Sequence, residues 1–461
     1  MMNKYITLLI LSFAVLFYSC DSELDLEPND SVSLEFDKLE DFELTLNGVY
    51  SSFTAASYYG ELKLAMEAWA GDDLKISPQN NGQGAFIHHW NYTSGDQNTE
   101  AIWGRIYTTI FRANLIINNY EGLTPEDDME AQRLNEIVSQ AYGLRALAHF
   151  HAYMFFGETY NDGSELAVPF VTETGIEQNP PRVTTNELFG QLKSDLNQAI
   201  GLANPNFQVK TFGPAAMYTV LAHIALFERD WNGVVNHVNN ALDAGAPGLA
   251  DASTYLSMWN VQDIDGGENI FKINFEPTNA RIGDIFYIPS LDVGYFWVTD
   301  DLLQLYDQDN DVRFEAFFDL SDFPRVIKYV GSPPANPNVA DAKVYRTSEL
   351  YLMRAEANYE LGNDGDALAD LDAVRSARIE GFSSPGETGS DLFDAIVTER
   401  RKELAFESRR FFDMRRWNMP IDRIDCFANT CFLENDNHRF VFPIPEAEMF
   451  ANDEMVQNPG Y

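Results

Sequence analysis

Two stretches of the chain follow one plan. AAMYTVLAHIALFERDWNGVVNHVNNALDAG (215–245) reads as a helix, a tight turn at Arg229-Asp230 and a second helix ended by Gly245. SELYLMRAEANYELGNDGDALADLDAVRSAR (348–378) repeats it, with the turn at GNDGD. Ala222 and Ala225 in one, and Ala355 and Ala357 in the other, stand where paired helices would approach closely. A unit of this kind buries its apolar face only by stacking on its neighbours. Helical spacing continues elsewhere. In 36–53 the apolar residues Phe36, Leu39, Phe42, Leu46, Val49 and Phe53 fall three and four apart. IWGRIYTTIFRANLIINNY (102–120) reads as a second helix, and a third runs from Thr124-Pro125 to about Phe156 with acidic residues in its first turn. Thr184 and Glu187 form a capping-box pattern ahead of a helix over 184–200.

The helix pairs resemble tetratricopeptide repeats. The expected fold is therefore mainly α: a tetratricopeptide-like helix-pair scaffold with long irregular loops and a few short strands. Residues 71–100 are rich in Gly, Asn, Gln and Ser yet hold Phe86, Trp90 and Tyr92. Residues 246–342 mix strand-like runs such as IFKINF with Gly, Pro and Asp turns. Loops of such length are usually functional.

The amino terminus sets the compartment. ITLLILSFAVLFY (6–18) is apolar but for Thr7 and Ser12. As a helix it rises about 20 Å, short of a ~30 Å hydrocarbon core. It reads as a signal peptide, residues 1–19. Cys20 directly after it looks like the lipidation site of a bacterial lipoprotein. The acidic stretch DSELDLEPND that follows reads as a solvated tether over 20–35, and it resembles the surface-export signal of Bacteroidota lipoproteins. A single domain is expected over 36–461, with an N-terminal half to about 245 and a loop-rich half from about 246. Cys426 and Cys431 remain; an exported protein meets oxidising conditions, so a loop disulfide is expected, with two free thiols as the alternative.

The chain carries 31 Lys and Arg against 71 Asp and Glu, a formal charge of −40, yet seven basic residues crowd into the eighteen of ERRKELAFESRRFFDMRR (399–416). Glu399, Glu403 and Glu407 would form one line of carboxylates on a helix, and Glu403, Glu407 and Asp413 lie three or four residues from arginines of the segment. The segment is therefore expected to be a structural ion-pair helix packed on the repeats rather than a nucleic-acid surface, whose arginines would stay free for phosphate. No GxSxG, HExxH, GxxxxGK[ST] or GxGxxG occurs. His149 and His151 would face apart on a helix, His88-His89 lack a ligand pattern, and DQDNDVRFE (307–315) lacks the Gly and Glu of an EF-hand. No catalysis, cofactor or metal is expected.

ERRKELAFESRRFFDMRRW (399–417) resembles the hallmark segment of the SusD/RagB family of Bacteroidota outer-membrane nutrient-binding lipoproteins. YRTSELYLMRAEANYELG (345–362), FPIPEAEMFANDEMVQNPGY (442–461), WGRIYTTIFRANLIINN (103–119) and YGLRALAHFHAYMFFGETY (142–160) are similar to other family segments. Departures are Ser408, where the family commonly has Gly, the insertion-like NDGSELAVPFV, and a rather short chain. The resemblance implies a non-enzymatic cell-surface lipoprotein that captures glycans. It would deliver them to a SusC-like TonB-dependent outer-membrane transporter, over which it sits as a lid. A RagB-like capture of peptides and a purely structural lid are the rival readings.

Sugars stack their C–H faces on exposed rings. The candidate rings are Trp90 and Tyr92 in the first long loop, and Trp259, Tyr295, Phe296 and Trp297 in the second. Asn91, Asp73 and Arg281 are the polar candidates. The net negative charge disfavours polyanions, so a neutral polysaccharide is expected.

Overall fold

The computed structural model describes residues 35–461 apart from 176–178, 206–207, 261–264, 333–335, 425 and 427–430. Cys20 and the leader lie outside the described residues. Helices α1 (Leu39–Phe53), α2 (Leu62–Ala70), α3 (Gln97–Asn119), α4 (Asp128–Phe156) and α5 (Thr185–Leu202) form the amino-terminal part. The apolar residues of α1 face inward as their spacing predicts, with Phe42, Val49 and Phe53 fully buried. Thr184 and Glu187 make the capping box of α5. α4 starts at Asp128 rather than at Thr124-Pro125, because the Asp127 carboxylate, on an extended residue, accepts the Glu130 N–H at 2.8 Å and takes the cap.

Next comes a pair of helices, α6 (Pro214–Glu228) and α7 (Trp231–Asp243). Arg229 ends α6 in the left-handed region, φ 59°, and the Asp230 carboxylate caps α7 through the Gly233 N–H. After α8 (Ala252–Asn260) and the irregular segment beyond it, α9 (Thr347–Glu360) and α10 (Asp364–Arg378) form the matching pair, turned at Gly362, φ 77°. Ala222, Ala225, Ala355 and Ala357 are buried where helices meet. Contacts run α1–α3–α4–α5–α6–α7–α9 in a row, and α11 (Ser390–Glu403) closes it against α9 and α10. The last three helices enclose a small core of their own, around Leu352, Leu371 and Ile396.

The strands are short and pair in twos. β1 (Leu74–Ile76) pairs with β3 (Phe296–Val298), β2 (Asn269–Ile273) with β6 (Ala342–Arg346), and β4 (Phe318–Asp319) with β5 (Arg325–Val326), all antiparallel. IFKINF is thus a strand, as its pattern suggests, with burial on both faces. Cys426 and Cys431 are joined as a disulfide.

The basic segment departs from expectation. It is not one helix. α11 stops at Glu403, Phe406 and Ser408 adopt φ 65° and 60°, and α12 (Arg410–Arg416) begins on a new course. Left-handed backbone cannot continue a right-handed helix. Ser408 holds that conformation with its side chain, which donates to Lys63 O and accepts from Lys63 Nζ. The break swings the side chains onto distant carboxylates. Arg400 meets Asp413 at 2.7 Å, Arg401 meets Asp73 at 2.8 Å, Arg409 meets Glu349 at 2.5 Å and Arg410 meets Asp72 at 2.8 Å. Within the segment, Arg416–Asp413 keeps the i,i+3 spacing, at 2.8 Å.

Beside these lies a fully enclosed network. Glu403 accepts from Arg313, Arg346 and Arg378, Glu268 from Arg346 and Arg378, and Glu407 from Arg346 and Lys328. Burial pushes the Glu403 carboxyl up, but the Arg378, Arg346 and Arg313 guanidiniums overcome it and hold it well below the usual range. Desolvating such charges costs several kcal/mol each, so the arrangement holds only where pairing is complete. Its role here is geometric. It ties β6, α10 and α11 to the irregular segment that carries the loops described next.

Candidate functional site

β3 alternates as a strand must. Phe296 and Val298 point inward, while Tyr295 and Trp297 stand on the outer face, half-buried. Phe296 stacks on Trp69 with centroids 5.7 Å apart. Trp297 instead stacks on Phe323, 5.8 Å away and 20° from parallel. Phe323 sits in the turn between β4 and β5, and meets Tyr287 edge-on at 5.9 Å. The Arg325 guanidinium lies 4.6 Å above the Tyr287 ring and 5.5 Å from Phe323. It is fixed there by Asp319, which accepts from Arg325 Nε at 3.0 Å. Among the described residues the Trp297 indole N–H has no acceptor.

The rim is polar. Tyr287 donates to Asp292 at 3.0 Å, Asn81 donates to the Tyr295 hydroxyl at 3.2 Å, and Asn80 and Gln79 bind backbone of 292–295. A row of three rings with one edge-on member, a guanidinium and several amides can stack a sugar face and bond its hydroxyls.

The basic segment moors this surface. Arg401 and Arg410 bind Asp73 and Asp72, immediately before β1, so the first loop is fixed at its base. Burial raises the Asp72 carboxyl, but Arg401 and Arg410 outweigh it and hold it well below its usual range. Lys328, two residues past β5, donates to Glu407 at 2.6 Å and Ala405 O at 2.7 Å, fixing the second loop to the helix break.

Of the sequence candidates, Tyr295 and Trp297 are on this surface. Trp90, Tyr92, Trp259 and Phe296 are not: they are core residues, each no more than 3% exposed. Trp90 donates to Ala70 O at 2.9 Å with Arg423 stacked 4.0 Å over it. Tyr92 stacks on Phe442 at 4.5 Å. Trp259 is enclosed by Phe317 and Tyr329, with Lys328 4.3 Å from its ring. Rings that large are driven inward wherever a partner can cover them. Asp73 is withdrawn into its ion pair with Arg401. Asn91 and Arg281 are exposed, but among the described residues no hydrogen bond ties them to the rings; Arg281 donates to Pro337 O. Tyr287, Phe323 and Arg325 were missed. Two-residue strands carry no readable period, and DLSDFPR gives only a turn signal.

No group of three or more His, Cys, Asp or Glu side chains placed to hold a metal occurs among the described residues. His88 is buried with Nδ1 3.0 Å from Trp69 O. No helix among the described residues is long and apolar enough to cross a membrane.

A family model described as the SusD family matches residues 328–461. Another, described as starch-binding associating with outer membrane, matches residues 24–226. The chain is 25% identical to SusD-like protein P2 of Formosa agariphila, with all of both chains aligned. Among solved structures it resembles a putative sugar binding protein from Bacteroides vulgatus, with a TM-score of 0.80 and 27% identity over 92% of this chain and 99% of that one. A SusD superfamily protein from the same organism gives a TM-score of 0.81 and 26% identity over 92% of this chain and 100% of that one. One from Bacteroides thetaiotaomicron shares the fold, with a TM-score of 0.83 and 23% identity over 92% of this chain and 100% of that one.

Proposed function

Because the chain belongs to the SusD/RagB family, we propose that it captures a neutral poly- or oligosaccharide on the Trp297–Phe323–Tyr287 surface and hands it to a SusC-like TonB-dependent transporter. Lipidation at Cys20 would hold it on the outer face of the outer membrane. The family is one of binding proteins, and the reading here is of a binder that leaves its ligand intact. The observation that carries the reading is the half-exposed stack of Trp297 on Phe323 under Arg325. A net charge of −40 favours an uncharged polymer over a polyanion.

The test is native affinity electrophoresis of residues 21–461 through gels holding neutral and acidic polysaccharides, followed by calorimetry with the retarding polymer. Losing one stacked ring removes on the order of 1.5 kcal/mol, about tenfold in Kd. Trp297→Ala and Phe323→Ala should each show that loss with unchanged melting behaviour. Retardation that survives both substitutions refutes the site. Retardation by no polymer, together with binding of peptides, refutes the ligand class.

A further inference from the structure

The seven basic residues of 399–416 do not all find a carboxylate. Six do; Arg415 meets none among the described residues. It is 2% exposed; among the described residues its Nη1 makes long contacts to Gly157 O and Phe440 O, at 3.5 and 3.4 Å, and its Nη2 has no acceptor. Arg415 lines a cavity of about 270 Å³ whose wall also carries Trp231, Trp417, Tyr160, Arg229 and Glu360. Trp231, Trp417 and Tyr160 are half-buried, and Arg229 is exposed. Arg416 and Glu356 also line it, but they engage each other, and Glu356 accepts from the Trp417 indole at 2.8 Å.

A second cavity, of about 300 Å³, shares Thr159 with the first. Amides line it: Asn418, Asn435, Asn437 and Asn458, beside His438 and Asp436. Asn458 is 2% exposed; its amide N–H₂ donates to Phe156 O and Phe442 O, and its Oδ1 has no donor among the described residues. None of these residues belongs to the ring surface described above.

We propose that the two cavities form one furrow that is a second saccharide-binding site, taking a short neutral oligosaccharide with ring faces on Trp231 and Trp417. The chemistry of the lining selects the class. Among the described residues Arg415 Nη2 has no acceptor and Asn458 Oδ1 no donor, while carboxylates line the first cavity and amides the second. A carboxylate can only accept, and an ammonium can only donate. A hydroxyl does both, so sugar hydroxyls can pair with the Arg229 guanidinium and Glu360 carboxylate of the first cavity and with the amides of the second. Glu360 and Asp436, one in each cavity, add carboxylates that would repel an anion. Indole and phenol rings beside amides and paired charges are suited to C–H stacking combined with hydroxyl bonding. The inference rests on the reading that this chain handles saccharides, but it concerns a separate place.

The experiment labels residues 21–461 with 5-fluorotryptophan. The seven indole resonances are assigned by single Trp→Phe substitutions. The probes are maltohexaose, cellohexaose, xylohexaose, mannohexaose, an inulin fructan and hexagalacturonate. The expected result is a neutral probe that shifts the Trp231 and Trp417 resonances saturably. Arg229→Gln, at an exposed position, and Asn435→Ala, at a half-buried one, should each weaken that response about tenfold or less and leave any Trp297 response unchanged. A probe that shifts Trp297 but neither Trp231 nor Trp417 overturns the second site and leaves the first standing. Shifts of Trp231 and Trp417 by hexagalacturonate alone overturn the neutral-ligand assignment. Silence of all three indoles to every probe overturns both sites.

Discussion

Glu403→Gln is the sharpest test of the buried charge network. The side chain is fully enclosed. Its Oε1 accepts from Arg346 Nη1 at 2.7 Å and Arg378 Nη2 at 3.0 Å, and its Oε2 from Arg378 Nε at 3.0 Å and Arg313 Nη1 at 3.1 Å. Glutamine keeps the volume but removes the charge shared by three guanidiniums, and it turns an N–H₂ toward two of them. Removing one partner of a buried pair costs about 3–5 kcal/mol, against about 5–15 kcal/mol for a whole domain. With a urea slope of about 3 kcal/mol per molar, the midpoint should fall by about 1 M or more. Indole fluorescence can follow it, since Trp259 lies 5.3 Å from the Arg346 guanidinium. The pH dependence has a defined sign. A carboxyl held below its usual value stabilises the fold fully above its unfolded pKa, about 4.3, and less as pH falls through the folded value. The difference between wild type and variant should therefore stay constant from about pH 6 to 8 and shrink below about pH 4. Adding Arg378→Met to Glu403→Gln should restore part of the loss, because the two share bonds. A midpoint shift under about 0.2 M at pH 7, or strict additivity in the double variant, would refute the reasoning.

Other outcomes follow from the same contacts. Trp90→Ala should cost about 3–5 kcal/mol of stability as a core truncation, while the folded fraction keeps its saccharide affinity; lost affinity without lost stability would return Trp90 to the binding surface. Ser408→Gly relieves left-handed backbone, worth about 0.5–1 kcal/mol, but strips buried Lys63 of an acceptor, worth about 1.5–3 kcal/mol; thermal melting should show a net loss, and a gain would contradict the Lys63 bond. Glu67 is pushed up to about 8 by burial, opposed by the Phe411 N–H it accepts at 2.6 Å. A carboxyl raised in the native state binds its proton there, so its contribution is present at low pH and fades as pH rises toward about 8. Glu67→Gln should flatten the melting temperature against pH between about 5 and 8, with the variant gaining as pH rises; parallel curves would sink this assignment.

The readable part of the site was its strand chemistry. Trp297 and Tyr295 share a face because residues two apart in a strand do, but the sequence offered Phe296 as a candidate beside them, and that this face is the outer one appears only in the structure. The unreadable part was burial. Trp90 and Trp297 occupy loops of similar composition, yet one lies beneath Arg423, 333 positions later in the chain by residue number, and the other has Phe323 at its side. Phe323 itself gave no signal, because its hairpin strands are two residues long.

Local sequence determined the elements of this protein: the capping box at Thr184, the α6–α7 turn at Arg229-Asp230, the spacing of α1 and the alanines between paired helices. Those interactions reach three or four residues, and a sequence displays them directly. Tertiary structure alone decided where the helix through 399–416 breaks, which distant carboxylates its arginines find, which rings stay at the surface, and that Arg415 meets no carboxylate among the described residues. A buried charge or ring is placed by whatever the rest of the chain brings against it, and spacing along the chain carries no record of that meeting.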